Sequence, residues 1–174
     1  MNWYAVYTKP RNEKKVAMML EREGIEHYLP LISRVKVWSD RKKVVDEPLF
    51  SSYIFVHITE REHLPVLQTP GVVRFVMFEH RKVRVRDIQI EAIRRYCDTG
   101  EELFLDETDY TVGKKVKVIS GGLKGLEGRL VQILGKQRVK VEIDAIRHSI
   151  FVKIPMGSLE ITGDAERDKE GNLW

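Results

Sequence analysis

Residues 116–130 read Val-Lys-Val-Ile-Ser-Gly-Gly-Leu-Lys-Gly-Leu-Glu-Gly-Arg-Leu, and no other stretch restricts the fold as strongly. Val116, Val118, Leu130 and Ile133 are spaced as strand residues are, with successive side chains on opposite faces. Gly121, Gly122, Gly125 and Gly128 fall around them, and a residue without a Cβ reaches backbone angles closed to the others. A helix is disfavoured twice over, by the β-branched residues and by glycines that each cost up to about 1 kcal/mol relative to alanine. Two strands hinged on a glycine turn are expected. Strand patterning recurs at 114–119, 128–134, 138–143, 150–154 and 158–161, with turns at Gly135-Lys136-Gln137 and Pro155-Met156-Gly157. Strands this short and close bury an interior by curling into a small five-stranded β-barrel, and no helix is needed.

Upstream the pattern mixes two periods. Residues 3–8 alternate as a strand, and 11–23 have helical spacing with Val16, Ala17 and Leu20 on one side and Gly24 as the stop. Residues 32–38 and 43–49 lean toward strands around the polar Ser39-Asp40-Arg41-Lys42, as in a hairpin. A strand at 52–58, a short apolar segment at 64–67, the turn Thr69-Pro70-Gly71 and a strand at 72–77 follow, and Asp87 caps a helix reaching Cys97. This order fits an α+β domain of the ferredoxin-like kind, an antiparallel sheet with helices on one face. Asp98, Glu101, Glu102, Asp106, Glu107 and Asp109 then form an acidic joint without Lys or Arg, in which Leu103-Phe104-Leu105 can dock on a neighbouring surface. The expected organisation is a first domain at 1–97, a linker at 98–110, a barrel at 111–162 and a frayed polar tail at 163–174.

A net charge of +4 tilts the chain toward polyanions but is too small to prove nucleic-acid binding. Cys97 is the only cysteine, so no intramolecular disulfide forms, and no apolar run is long enough to span a bilayer. A soluble cytoplasmic monomer without metal or cofactor is the expectation. The glycine segment superficially resembles a phosphate cradle, but the terminal Gly-Lys-Ser/Thr and a following helix are missing. His27, His57, His63, His80 and His148 show no metal-ligand spacing. No catalytic constellation emerges, and an enzyme is not expected.

Three segments carry a family resemblance. Trp3-Tyr4-Ala5-Val6-Tyr7-Thr8-Lys9-Pro10-Arg11, Pro48-Leu49-Phe50-Ser51-Ser52-Tyr53-Ile54-Phe55-Val56 and Thr69-Pro70-Gly71-Val72-Val73-Arg74-Phe75 resemble the N-terminal domain of NusG-family transcription elongation factors. The glycine segment looks like the KOW motif of the SH3-like barrel that follows in that family. Housekeeping members usually carry Phe-Pro-Gly-Tyr where this chain has Phe50-Ser51-Ser52-Tyr53, which is more similar to the specialised RfaH and UpxY-type antiterminators. The resemblance implies a factor that suppresses pausing or termination and recruits a second partner. It equally leaves open a general factor supporting Rho-dependent termination, or a KOW-type RNA-binding or ribosome-associated protein. RfaH can hold its C-terminal domain as a helical hairpin, but the strand-forming residues here favour a stable barrel.

Along 52–58, Tyr53, Phe55 and His57 share one face and Ile54, Val56 and Ile58 the other. The resemblance implies that Tyr7, Tyr53 and Phe55 grip the clamp helices of the RNA polymerase β′ subunit, aromatic anchors being common at interfaces; the alternative is that they fill the core. At about 100° per residue, Arg11, Lys15, Met18 and Arg22 form one stripe with Lys14 beside it, and Lys9 extends the ridge. The resemblance aims this ridge, Lys9 and Arg22 above all, at the non-template DNA strand. The alternative is a solvated face offset by Glu13, Glu21 and Glu23. Arg41, Lys42 and Lys43 beside Trp38 are a second candidate for DNA, with cross-strand packing the other reading of Trp38. Glu62-His63-Leu64-Pro65 falls where specialised members contact the β gate loop, without their threonine-rich pattern. Ile119, Leu123 and Leu126 are the implied contacts for Rho or for the ribosomal protein NusE.

Overall fold

The computed structural model describes residues 1–37, 42–78, 80–99, 111–121, 123–133, 136–143, 148–152 and 156–163. In chain order the elements are β1 (Asn2–Thr8), α1 (Glu13–Arg22), β2 (His27–Tyr28), β3 (Leu31–Val37), β4 (Lys42–Pro48), β5 (Tyr53–Ile58), a 3-10 turn (Glu60–Glu62), α2 (His63–Gln68), β6 (Val72–Phe75), β7 (Met77–Phe78), β8 (Arg81–Lys82), β9 (Arg84–Val85) and α3 (Asp87–Thr99). Then come β10 (Thr111–Val118), β11 (Glu127–Ile133), β12 (Lys136–Ile143), β13 (His148–Val152), a 3-10 turn (Met156–Ser158) and β14 (Leu159–Gly163). The chain divides into two compact units, one built on Met1–Asp87, the other on Ile88–Tyr96 and strands β10–β14.

The first unit centres on an antiparallel sheet in the order β2-β5-β1-β6, with β9 also paired to β1. The β1–β5 register sets Trp3 opposite His57, Ala5 opposite Phe55 and Tyr7 opposite Tyr53. The intervening residues Tyr4, Val6, Ile54, Val56 and Ile58 face the other way and join Val16 and Leu20 of α1 and Val66 of α2 in one core. Both helices therefore cover one sheet face, as strand alternation and the spacing of α1 require. β3 and β4 form a separate two-stranded ribbon; each starts one residue earlier than the sequence pattern implied and β4 ends one residue earlier, while the expected end of β3 at residue 38 lies outside the described residues.

Two local expectations are corrected. The first helix starts at Glu13, not at residue 11: Arg11 takes φ +61°, outside the helical region, and Asn12 N–H donates to Lys9 O in a turn. The strand expected at 72–77 breaks at Val76, whose N–H donates to Ala5 O. Met77–Phe78 then leaves the main sheet to pair with Arg81–Lys82.

In the second unit five strands form one antiparallel sheet in the order β13-β12-β11-β10-β14. β14 returns to pair with β10, Val118 lying opposite Leu159. No pairing of β13 with β14 occurs among the described residues, so closure into a complete barrel is not reached there. The glycine turn forms as patterned: Gly121 and Gly125 have φ of +79° and +90°, and Gly125 N–H donates to Val118 O at 2.7 Å. Leu126, fully buried beneath this turn, anchors it to the core.

Candidate functional site

The sheet face turned away from α1 and α2 carries a ladder of rings. Tyr7 and Tyr53, paired across β1 and β5, meet edge to face with centroids 5.4 Å apart. Arg74, opposite Tyr7 on β6, holds its guanidinium carbon 6.0 Å from the Tyr7 centroid. Both tyrosines are half-buried and Arg74 is exposed, so the row presents rings, hydroxyls and a cation together. Next along the strands Phe55 is fully buried, with Phe50 edge-on at 6.1 Å and Tyr28 stacked at 6.5 Å. Trp3 stacks on His57 at 4.9 Å, and His57 Nδ1 lies 2.6 Å from Glu26 Oε2. Sequence reasoning named Tyr7 and Tyr53 and put His57 on the same face, but missed Arg74 beside Tyr7 and Trp3 beside His57. Their signal was present in the strand period, but the register that aligns them was not.

The turn feeding β5 is held by α1. Glu13 Oε1 accepts the buried Ser52 N–H at 2.7 Å, while Ser52 O accepts Thr8 N–H at 2.8 Å. Glu13 is therefore buried, and not one of the surface acids offsetting the basic ridge. Ser52 itself stands at φ +66°.

Lys9, Arg11, Lys15 and Arg22 are exposed and make no ion pair among the described residues. Lys9 and Arg11 lie in the loop before α1, and Met18 is exposed among the helix cations. Lys14 Nζ donates to Asp46 O at 2.7 Å, tying α1 to the β3–β4 ribbon. On that ribbon Lys42 is exposed, whereas Arg41 and Trp38 lie outside the described residues. Lys36 Nζ lies 2.5 Å from Glu47 Oε1, and its hydrogen bond holds that carboxyl below the usual range.

Beside α2, the His63 ring stacks on Phe75 at 4.5 Å. Burial first, then the Lys82 ammonium, pushes this imidazole below its ordinary pKa, with Glu60 pulling the other way. In the second unit Ile119 is 44% exposed, whereas Leu123 and Leu126 are buried. Among the described residues no group of three or more His, Cys, Asp or Glu could hold a metal ion, and no helix is long and apolar enough to cross a membrane.

Residues 1–94 match the family model described as Transcription termination factor nusG. The transcription termination/antitermination protein NusG of Lactococcus lactis is 24% identical over 170 residues, covering 91% of each chain. Its Streptococcus pyogenes counterpart is 27% identical over 143 residues, 75% of this chain and 80% of that one. The solved structure described as "Domain interaction in Thermotoga maritima NusG" superposes with a TM-score of 0.52 at 24% identity, covering 92% of this chain and 96% of that one, and shares the fold.

Proposed function

Since this chain belongs to the NusG family, we propose that it is a transcription factor that docks on RNA polymerase through the Tyr53–Tyr7–Arg74 row and acts on pausing and termination. The row carries the reading: half-buried rings tipped with hydroxyls and flanked by a guanidinium are the chemistry of interface anchors. The target is the clamp helices of the β′ subunit, with Phe55 supporting the tyrosines from the buried layer. The unpaired cations Lys9, Arg11, Lys15 and Arg22, with Lys14, Arg41 and Lys42, face the non-template strand, where they neutralise phosphates without reading bases. In this reading a ferredoxin-like domain at 1–97 is followed by an acidic linker at 98–110 and a KOW-type five-stranded domain at 111–162. That unit recruits NusE or Rho at the glycine turn, with the exposed Ile119 as the contact and the buried Leu123 and Leu126 holding the turn in place, and tethering raises the local concentration of the recruited factor.

In vitro transcription through a pause and a terminator on the leader of its own operon tests the function. Increased read-through is expected, and unchanged read-through with competent polymerase overturns the antitermination reading. Adding Rho separates the two modes, because an antiterminator of the specialised type does not stimulate Rho while a general factor does. Tyr7→Ala together with Tyr53→Ala should weaken polymerase binding at least about tenfold, the loss of one interface hot spot or more. Full retention of affinity assigns the contact to another surface.

A further inference from the structure

Between α2 and the β7–β8 hairpin lies an open groove of about 660 Å³, lined in part by Tyr4, Glu60, His63, Arg81, Lys82 and Arg84. Its floor is internally satisfied: Lys82 Nζ lies 2.5 Å from Glu60 Oε2, and 5.2 Å and 5.7 Å from the Tyr4 and Phe75 ring centroids. Its rim is not. Arg81 and Arg84 are exposed and make no ion pair among the described residues, and His80 stands exposed beside them. Met77, 45% exposed, lines the groove; Phe78, 61% exposed, does not line it but stands opposite the rim residue Arg81 in the hairpin. Glu60, and Glu79 in the sequence between Phe78 and His80, leave an excess of cation over carboxylate before either histidine is counted.

We propose that this groove, together with the exposed Phe78 ring opposite Arg81 just outside its lining, is a second nucleic-acid site, taking the backbone of a single strand on Arg81 and Arg84 and one unstacked base against Phe78. Free guanidiniums beside a solvent-facing aromatic ring match the two needs of single-strand binding, phosphate neutralisation and a stacking platform. The cavity has room for a nucleotide or two, and in a duplex the base faces are already stacked and cannot reach Phe78. Lys82, held against Glu60 and two rings, sets the groove's shape, while the arginines supply free charge. The site uses neither α1 nor the tyrosine row, so it stands or falls separately from the polymerase reading.

Fluorescence anisotropy of the full chain with labelled short oligouridylate, oligothymidylate and duplex DNA tests it. Binding of one or both single strands in preference to the duplex is expected, and the preferred sugar identifies RNA or DNA as the source. Arg81→Glu with Arg84→Glu should weaken single-strand binding at least about tenfold and reduce the slope of log K against log salt by about 1.4, two single-strand phosphate contacts. Phe78→Ala should cost at least about fivefold. Lys15→Glu with Arg22→Glu serves as the control on the other basic surface. If the control abolishes single-strand binding while the groove variant leaves it unchanged, the groove assignment is overturned. Equal affinity for the duplex, or groove-dependent binding of a polyglutamate peptide without binding of either single strand, also overturns it. So does ultraviolet crosslinking confined to peptides outside residues 60–86.

Discussion

Glu13 stands at the first position of α1, where an acidic side chain ordinarily faces water and the helix dipole. Here its carboxylate is buried and accepts Ser52 N–H at 2.7 Å, a partner 39 residues away. Removing that acceptor leaves a buried N–H unpaired, a cost of about 1–3 kcal/mol. Glu13→Ala should lower stability by that amount in urea unfolding of the full chain, and Glu13→Gln, which keeps an acceptor oxygen, by less. Ser52 adds to the demand on this contact, since a residue with a Cβ costs about 1–2 kcal/mol in the left-handed region. Helical periodicity correctly put Val16 and Leu20 inside, but it could not report that Glu13 is inside as well. The reason is an N–H presented by a distant turn, which no local period encodes.

The elements that were easiest to read have strong periods: β1, α1, β5, α3 and the five strands of the second unit lie close to the patterned segments. α2 shows why a proline need not end a helix, since Pro65 sits in its first turn, where the missing N–H has no helical partner anyway. Just before α2, Thr59 N–H and Oγ1 both donate to Glu62 Oε2, at 2.8 and 2.7 Å. These two bonds, the backbone one largest, lower the Glu62 pKa from its ordinary 4.5. A carboxyl whose folded pKa lies below its unfolded one contributes stability in full above the unfolded value, and loses it as pH falls through the folded value. Thr59→Ala should therefore destabilise the protein at neutral pH but have little effect in acid well below 4.5, as read from urea midpoints at the two pH values. β7, β8 and β9 escaped the sequence because two-residue strands have no measurable alternation. The β7–β8 hairpin carries the exposed Phe78 and Arg81, so part of the candidate surface was invisible for the same reason.

Assigning polymerase docking to the first unit and recruitment to the second predicts separable defects. Ile119→Glu, an exposed change beside the glycine turn, should leave polymerase affinity within about twofold, because Ile119 belongs to a different compact unit from the tyrosine row and shares no partner with it among the described residues. Capture of NusE or Rho should be lost, as a pull-down with each purified factor would show. A simultaneous loss of both activities contradicts this division. Sequence alone determined what is local: the alternation that makes β1 and β5 two-faced, the glycines that shape the turn between β10 and β11, and the apolar stripe of α1. Only the tertiary structure decided that Tyr7, Tyr53 and Arg74 form one row while Phe55, next along the same face, is fully buried, that Glu13 is buried, and that β14 closes back on β10. Each of those outcomes depends on register or on a partner far along the chain. Side-chain periodicity states which faces exist, and packing across the sheet chooses which of them stays open.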